Sequence, residues 1–174
     1  MKVLETDRLL LRRLSIEDAG FILGLLNEPS YVHFIGDKGV RTISDARAYI
    51  VKGPIASYEQ HGFGLYLTEL KDSGVPIGVC GLLQRDHLPD VDIGFAFLPQ
   101  FWSQGYAFEA SSAVMAYGRD VLTLDRIVAI VSPDNVRSIK VLGKLGLRFQ
   151  RMERWPADGS EIKLYAIEIK KSGE

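Results

Sequence analysis

Three apolar runs, GFGLYLTEL (62–70), VPIGVCGLL (75–83) and VDIGFAFL (91–98), follow one another with only KDSG and QRDHLPD between them. Runs this short, rich in β-branched and aromatic residues and bounded by turn residues, read as strands, and connections this short make neighbours antiparallel. The order then changes. A helical pattern from about Gly105 to Asp120 leads to the strand-like RIVAIVS (126–132), a second helix from about Asn135 to Leu145, and strands near LRFQRM (147–152) and KLYAIEI (163–169). Strand, helix, strand requires a crossover between parallel neighbours, so the sheet is expected to be mixed, an α/β chain of the α+β kind. Upstream, RLLLRRL (8–14) reads as a strand, and Ser15 with Asp18 opens a helix to about Asn27 that Glu28 and Pro29 stop. A second helical stretch from Ser44 to Gln60 carries Ala46, Tyr49 and Ile50 on one side and is expected to break or kink at Gly53–Pro54.

A chain of 174 residues suits one hydrophobic core, and no repeat or linker marks a boundary, so one domain over 1–174 is expected. The formal net charge of -1 argues against a nucleic-acid partner, whose binding proteins carry a basic excess. Cys80 is the only cysteine and His33, His61 and His87 the only histidines, so neither a disulfide nor a zinc-ligand spacing is present and no metal is expected. No apolar run reaches the about 18 to 20 residues of a membrane span, and MKVLETDRLL lacks a signal-peptide pattern. The expectation is a soluble, cytoplasmic protein with no membrane partner.

Between VDIGFAFL and the helix that follows lies FWSQGYAFEA (101–110), a strand-to-helix junction with one glycine, Gly105. The first N–H groups of a helix have no intrahelical acceptor, and the summed peptide dipoles favour an anion there by about 0.3 to 1 kcal/mol. A glycine lets the backbone approach such a ligand closely, so a phosphate suits the site; the alternative is a tight turn capped by water. Two familiar phosphate loops are excluded: GFGLYL lacks the third glycine of a dinucleotide fingerprint, and GKLG near Gly143 lacks the rest of a P-loop.

Taken together, FWSQGYAFEA, the strand VDIGFAFLP before it, the opening LETDRLLLRRL and PDNVRSIKVLGKLGLR with its N-x-x-S pattern resemble the GNAT superfamily of N-acetyltransferases. The likeness is to the ribosomal-protein N-terminal (RimJ/RimL-type) branch and covers nearly the whole chain. It implies the acyl-CoA N-acyltransferase fold, a mostly antiparallel sheet splayed at a cofactor cleft and flanked by helices. It also implies direct acetyl transfer from acetyl-CoA, as co-substrate, to a primary amine. By the same resemblance, Trp102, Ser103, Gln104, Gly105, Tyr106 and Ala107 form the pyrophosphate loop. Backbone groups of Phe95, Phe97 and Leu98 would pair with the pantetheine arm, and one N–H there would stabilise an oxyanion. The chain departs from the pattern at Trp102, where the wider superfamily has glutamine or arginine, and at Gln104, where the branch often has a basic residue, so phosphate binding would lean on backbone N–H groups.

The resemblance makes Asp92 the candidate proton acceptor, through water, against a solvated hairpin-end aspartate as the plain reading. Asn135 would touch the cofactor and Ser138 would serve the departing thiolate, while SPDN by itself reads as a helix start capped by Asp134 or Asn135. Arg137, Lys140 and Lys144 share a helical stripe, open to the cofactor's outer phosphate or to solvent. Cys80, in an apolar strand without a basic neighbour, reads as packing, and Glu109 as a first-turn carboxylate favourable to the dipole. His87 is assigned no role. Glu28, Asp37, Asp86, Asp90 and Asp92 suggest an acidic mouth that would attract a cationic amine: a protein N-terminus, favoured because an α-amine is more often neutral than a lysine, or a polyamine or aminoglycoside. A non-catalytic acyl-CoA sensor and a cofactor-free module stand as alternatives, and a homodimer is common among relatives.

Overall fold

Hydrophobic alternation joined by tight turns builds one eight-stranded sheet in this computed structural model, which describes residues 1–169. The strands are β1 (Lys2–Glu5), β2 (Leu9–Arg13), β3 (Leu65–Leu70), β4 (Pro76–Leu83), β5 (Asp92–Phe97), β6 (Arg126–Val131), β7 (Arg148–Arg154) and β8 (Glu161–Glu168). Their order is β1-β2-β3-β4-β5-β6-β8-β7, antiparallel throughout except for the β5–β6 pair. The expected crossover is therefore the helix α5 (Tyr106–Asp120), which carries the chain from β5 to a parallel β6. No helix among the described residues is long and apolar enough to cross a membrane.

Side chains alternate across each strand, so the two faces hold different partners. Tyr66, Cys80, Leu82, Ile93 and Phe97 meet Ala110 and Val114 of α5 and Leu142 of α6 (Val136–Lys144). Leu67 and Val79 face the other way, onto Ile22 and Leu25 of α1 (Ala19–Leu26) and Ala46 and Ile50 of α3 (Ile43–Ile50).

Three local expectations change. Glu28 and Pro29 do not simply stop a helix. Helix α1 ends at Leu26, and Pro29 opens a further helix, α2 (Pro29–Phe34), at a first-turn position where its missing N–H costs no bond. The break expected at Gly53–Pro54 is a wide π-type turn over Val51–Ile55, which absorbs the proline and runs on into α4 (Ala56–His61). Finally β1 escaped the pattern reading. KVLE has no apolar alternation of its own and is a strand because it pairs with β2 at the sheet edge.

Candidate active site

Strands β5 and β6 share a single register pair, Asp92↔Val128, beside which the Val128 N–H donates to the Val91 carbonyl at 3.0 Å. Beyond it they part. Backbone groups alternate along a strand, and Leu98 N–H donates to Ile77 O at 2.9 Å, so the even-numbered residues of β5 and Leu98 are committed to β4. Phe95 and Phe97 point their backbone groups into the gap instead. The indole Nε1–H of Trp102 takes the Phe97 carbonyl at 2.9 Å, which leaves the Phe97 N–H and both Phe95 groups facing the opening.

A cleft of about 680 Å³ fills that gap. Its walls include Ala107 and Val141 from the α5–α6 face and Leu25 and Tyr31 from the α1–α2 face, so it passes from one side of the sheet to the other at the place where the strands part.

Gly105 stands at the cleft as the N-cap of α5 with φ 83°, in the left-handed region that glycine alone enters without cost, and Ser103 is left-handed too at φ 62°. No side chain caps this helix, and its first intrahelical bond runs from Glu109 N–H to Gly105 O at 3.0 Å. The N–H groups of Tyr106, Ala107 and Phe108 are thus left without intrahelical acceptors beside the cleft. The loop is braced from outside. Arg8 donates to the Gln104 carbonyl at 3.0 Å, lies 4.4 Å over the Tyr106 ring and binds Glu109 at 2.7 Å. Burial alone would raise the Glu109 carboxyl, but Thr6 and Arg8 hold it below the usual carboxylate range. The Gln104 side chain turns back to the Gln100 carbonyl at 3.2 Å and does not line the cleft.

Positive charge absent from the loop arrives from α6. Arg137, Lys140 and Lys144 all line the cleft, and the Arg137 guanidinium lies 4.4 Å over the Trp102 ring. Sequence reading found that stripe but could not see that Trp102 would become the platform for its first member. Asn135 caps α6, accepting the Ser138 N–H at 3.3 Å, and Ser138 is among the residues that line the cleft. On the opposite wall, His33 of α2 meets Asp134, just before α6, at 2.8 Å, so the two walls touch.

Asp92 is neither solvated nor in the cleft lining. It is 1% exposed, and the Arg85 Nε reaches its two carboxylate oxygens at 3.2 and 3.3 Å. Burial pushes its carboxyl up, against the pull of Arg85. Much of the expected acidic mouth is likewise committed: Asp90 pairs with Arg126 at 3.3 Å and Asp37 with Arg41 at 2.5 Å. Cys80 is fully buried against the Ser111 hydroxyl at 3.6 Å, and burial pushes its thiol up to about 12, as suits a packing residue. His87 packs edge-on to Trp155, with ring centroids 4.9 Å apart.

A parted sheet with unpaired amides along one strand, a left-handed glycine cradle and three cations opposite fits a ligand that joins phosphates to an amide-bearing arm. That combination defines an acyl-CoA-dependent acyltransferase. Residues 8–148 match the acetyltransferase (GNAT) domain, and the chain belongs to that family. It is 31% identical over 148 residues to the uncharacterized N-acetyltransferase YoaA of Bacillus subtilis, covering 84% of this chain and 82% of that one. Among solved structures, a GNAT-family acetyltransferase from Bacillus anthracis superposes with TM-score 0.80 at 25% identity, covering 97% of this chain and 98% of its own. RimL, a ribosomal L7/L12 alpha-N-protein acetyltransferase solved with coenzyme A, shares the fold at TM-score 0.82 and 17% identity, covering 97% and 98%. By class, then, the protein is an N-acetyltransferase whose family moves acetyl groups from acyl-CoA to amines.

Proposed function

We propose that the cleft takes acetyl-CoA through the α5–α6 face and delivers its acetyl group to a primary amine entering from the α1–α2 face, a protein N-terminal α-amine being the favoured acceptor. The observation that carries this reading is the passage of one cleft through the sheet beside the uncapped Gly105 turn. In this reading the backbone of Ser103 to Ala107 holds the pyrophosphate, with Arg137, Lys140 and Lys144 meeting the outer phosphate. The free backbone groups of Phe95 and Phe97 pair with the arm, while Leu98 contributes position only, since its N–H is already bonded to Ile77. Trp102 and Tyr106 wall the loop, Gln104 supports it from outside, and Asn135 sets the start of α6 so that Ser138 faces the departing thiolate.

The acceptor preference rests on ionisation. An α-amine with a pKa near about 7.8 is neutral in a substantial fraction of molecules near pH 7, whereas a lysine near about 10.4 is almost wholly protonated. Calorimetric titration of the purified protein with acetyl-CoA, followed by transfer assays on peptides with free N-termini, tests both parts. Saturable binding with acetylation of the α-amine is expected. A folded protein that binds no acetyl-CoA would remove the reading, and transfer only to lysine side chains or polyamines would remove its acceptor half.

A further inference from the structure

The cleft is electrically two-ended. Among the described residues its cations all stand on α6, and two carboxylates line it, Glu28 and Asp134. Asp134 is engaged by His33 at 2.8 Å and by the Ser132 hydroxyl at 2.5 Å, and these two bonds hold its carboxyl below the usual range. Glu28 has no hydrogen bond or ion pair through its side chain among the described residues. It is half-buried at the N-cap of α2, where the chain is extended at φ -58° and ψ 132°, and Tyr31, Phe34 and Ile35 stand beside it in the same wall. An unpaired carboxylate partly withdrawn from water and set among apolar side chains is unfavourable unless a cation or proton donor visits it.

Resting on the acetyltransferase reading above, we infer that Glu28 meets the acceptor amine and takes its proton, and that the apolar wall beside it selects a monocationic amine carried on an apolar group. The bound ammonium first gives one proton to solvent; the nitrogen lone pair so freed then forms the N–C bond to the acetyl carbonyl carbon and the C–S bond breaks. Coenzyme A leaves as its thiolate and collects a proton from solvent, while the proton shed by the acylated nitrogen passes to Glu28. A nitrogen becomes far more acidic once it bonds to the acyl carbon, so a carboxylate that could not deprotonate the free ammonium accepts the proton at that stage. Asp92 is less well placed, being outside the cleft lining and bound to Arg85. One free carboxylate also bears on the substrate. A polyamine would bring several charges to a wall that answers one of them and presents aromatic and aliphatic surface to the rest.

Four proteins answer the question: wild type, Glu28→Gln, Glu28→Asp and, as comparator, Asp92→Asn. The probes are acetyl-CoA, short peptides beginning with Ala, Val or Leu, and spermidine. Glu28→Gln should keep its unfolding midpoint and its acetyl-CoA affinity, yet lose about 100-fold in kcat with the peptides, the usual size of a general-base contribution. The loss should shrink above about pH 9, where hydroxide replaces the missing base. Glu28→Asp, a carboxylate one methylene short, should recover part of the rate. By calorimetry on protein preloaded with coenzyme A, the peptides should bind wild type at least about ten-fold more tightly than Glu28→Gln, and spermidine should bind poorly to both. Unchanged kcat in Glu28→Gln, a larger loss in Asp92→Asn, or a preference for spermidine would each overturn the assignment while leaving the acetyltransferase reading in place. No acetyl-CoA binding by folded wild type would overturn both.

Discussion

On the α5–α6 face the cleft is walled by backbone that several partners hold, whereas on the α1–α2 face it is walled by side chains with few fixed contacts. Arg8, Glu109 and Thr6 brace the Gly105 turn, and Trp102 is tied to Phe97 at one edge and covered by Arg137 on its ring. Across the cleft, the Glu28 side chain has no hydrogen-bond or ion-pair partner among the described residues, and Tyr31 is secured mainly by burial and by the neighbouring Tyr49 hydroxyl, both of which raise its own hydroxyl's pKa. A common ligand and a variable one would call for this division. Phosphates are recognised by fixed N–H groups, which cost no reorganisation on binding, while an acceptor is chosen by side chains that can differ from one relative to the next.

The sharpest way to break the contrast is Gly105→Val. Its backbone is left-handed, where a β-branched side chain is strained by about 1 to 3 kcal/mol, and a Cβ there already lies 3.3 Å from Arg8 Nη2. Acetyl-CoA binding should fall by at least about 100-fold, since a valine driven out of the left-handed region turns the N–H groups of the helix start away from the ligand. Circular dichroism that stays native alongside a flat calorimetric titration would locate the effect in the loop. Undiminished affinity would show that the backbone face is not the phosphate cradle.

That asymmetry also explains what could be read in advance. FWSQGYAFEA is legible because a left-handed turn at a helix start restricts the residue types it admits, so backbone geometry leaves a local mark in the sequence. The strand order β3-β4-β5 and the crossover to β6 are legible for a similar reason, since short connections and the switch of period leave few topologies. The acceptor wall leaves no such mark. Glu28 is one of five acids suggested for the mouth, and it stands apart only because Asp37, Asp90 and Asp92 prove to be paired, facts fixed by residues elsewhere in the chain, Arg41, Arg126 and Arg85. Asp92 shows the same limit. Its place at the start of β5 could be anticipated, but Arg85, seven residues back on the far side of a loop, determines its surroundings.

A smaller effect sharpens the basic half of the comparison. Arg137→Ala removes both a cation from the cleft and the guanidinium stacked on Trp102. The pair is worth about 0.5 to 1 kcal/mol where solvent reaches it, and a phosphate contact adds to that, so affinity for acetyl-CoA should drop roughly five- to ten-fold. The salt dependence of binding should become shallower at the same time, because one screened charge pair has gone. An equal loss in Kd with unchanged salt dependence would mean that Arg137 acts through Trp102 alone.

Arg8→Ala tests the brace behind the loop. The Arg8 side chain is about half exposed and Glu109 only partly buried, so solvent screening limits their pair to about 0.5 to 1 kcal/mol of stability. Losing Arg8 also removes a bond to the Gln104 carbonyl and a ring contact with Tyr106, and urea unfolding should show a drop of about that size. Acetyl-CoA affinity should fall by only two- to three-fold, on the order of the loop's freedom to depart from its bound shape. A loss as large as that of Gly105→Val would place Arg8 on the ligand itself.

Asp92→Asn is expected to change acetyl-CoA binding least, since Asp92 lies outside the cleft lining, and the sign of its effect on stability is informative. Breaking a buried ion pair usually costs about 3 to 5 kcal/mol, because one charge is left without a partner. Here burial already outweighs the attraction of Arg85 and raises the Asp92 carboxyl above its ordinary value, while Arg85 keeps 30% of its side chain in solvent. An isosteric neutral side chain should therefore cost less, about 1 to 2 kcal/mol near pH 7. A carboxyl with a raised folded-state pKa binds its proton more tightly in the native chain than in the unfolded one. Its contribution is thus fully present below the unfolded value of about 3.9 and is lost as pH rises through the raised folded value. Asparagine has no such dependence, so the stability advantage of wild type over Asp92→Asn should be larger at pH 4 than at pH 7 in urea unfolding. A gap that widens toward pH 7 would mean that Arg85 stabilises the ionised carboxylate more than burial penalises it, and the ion pair rather than burial would then set the charge of Asp92.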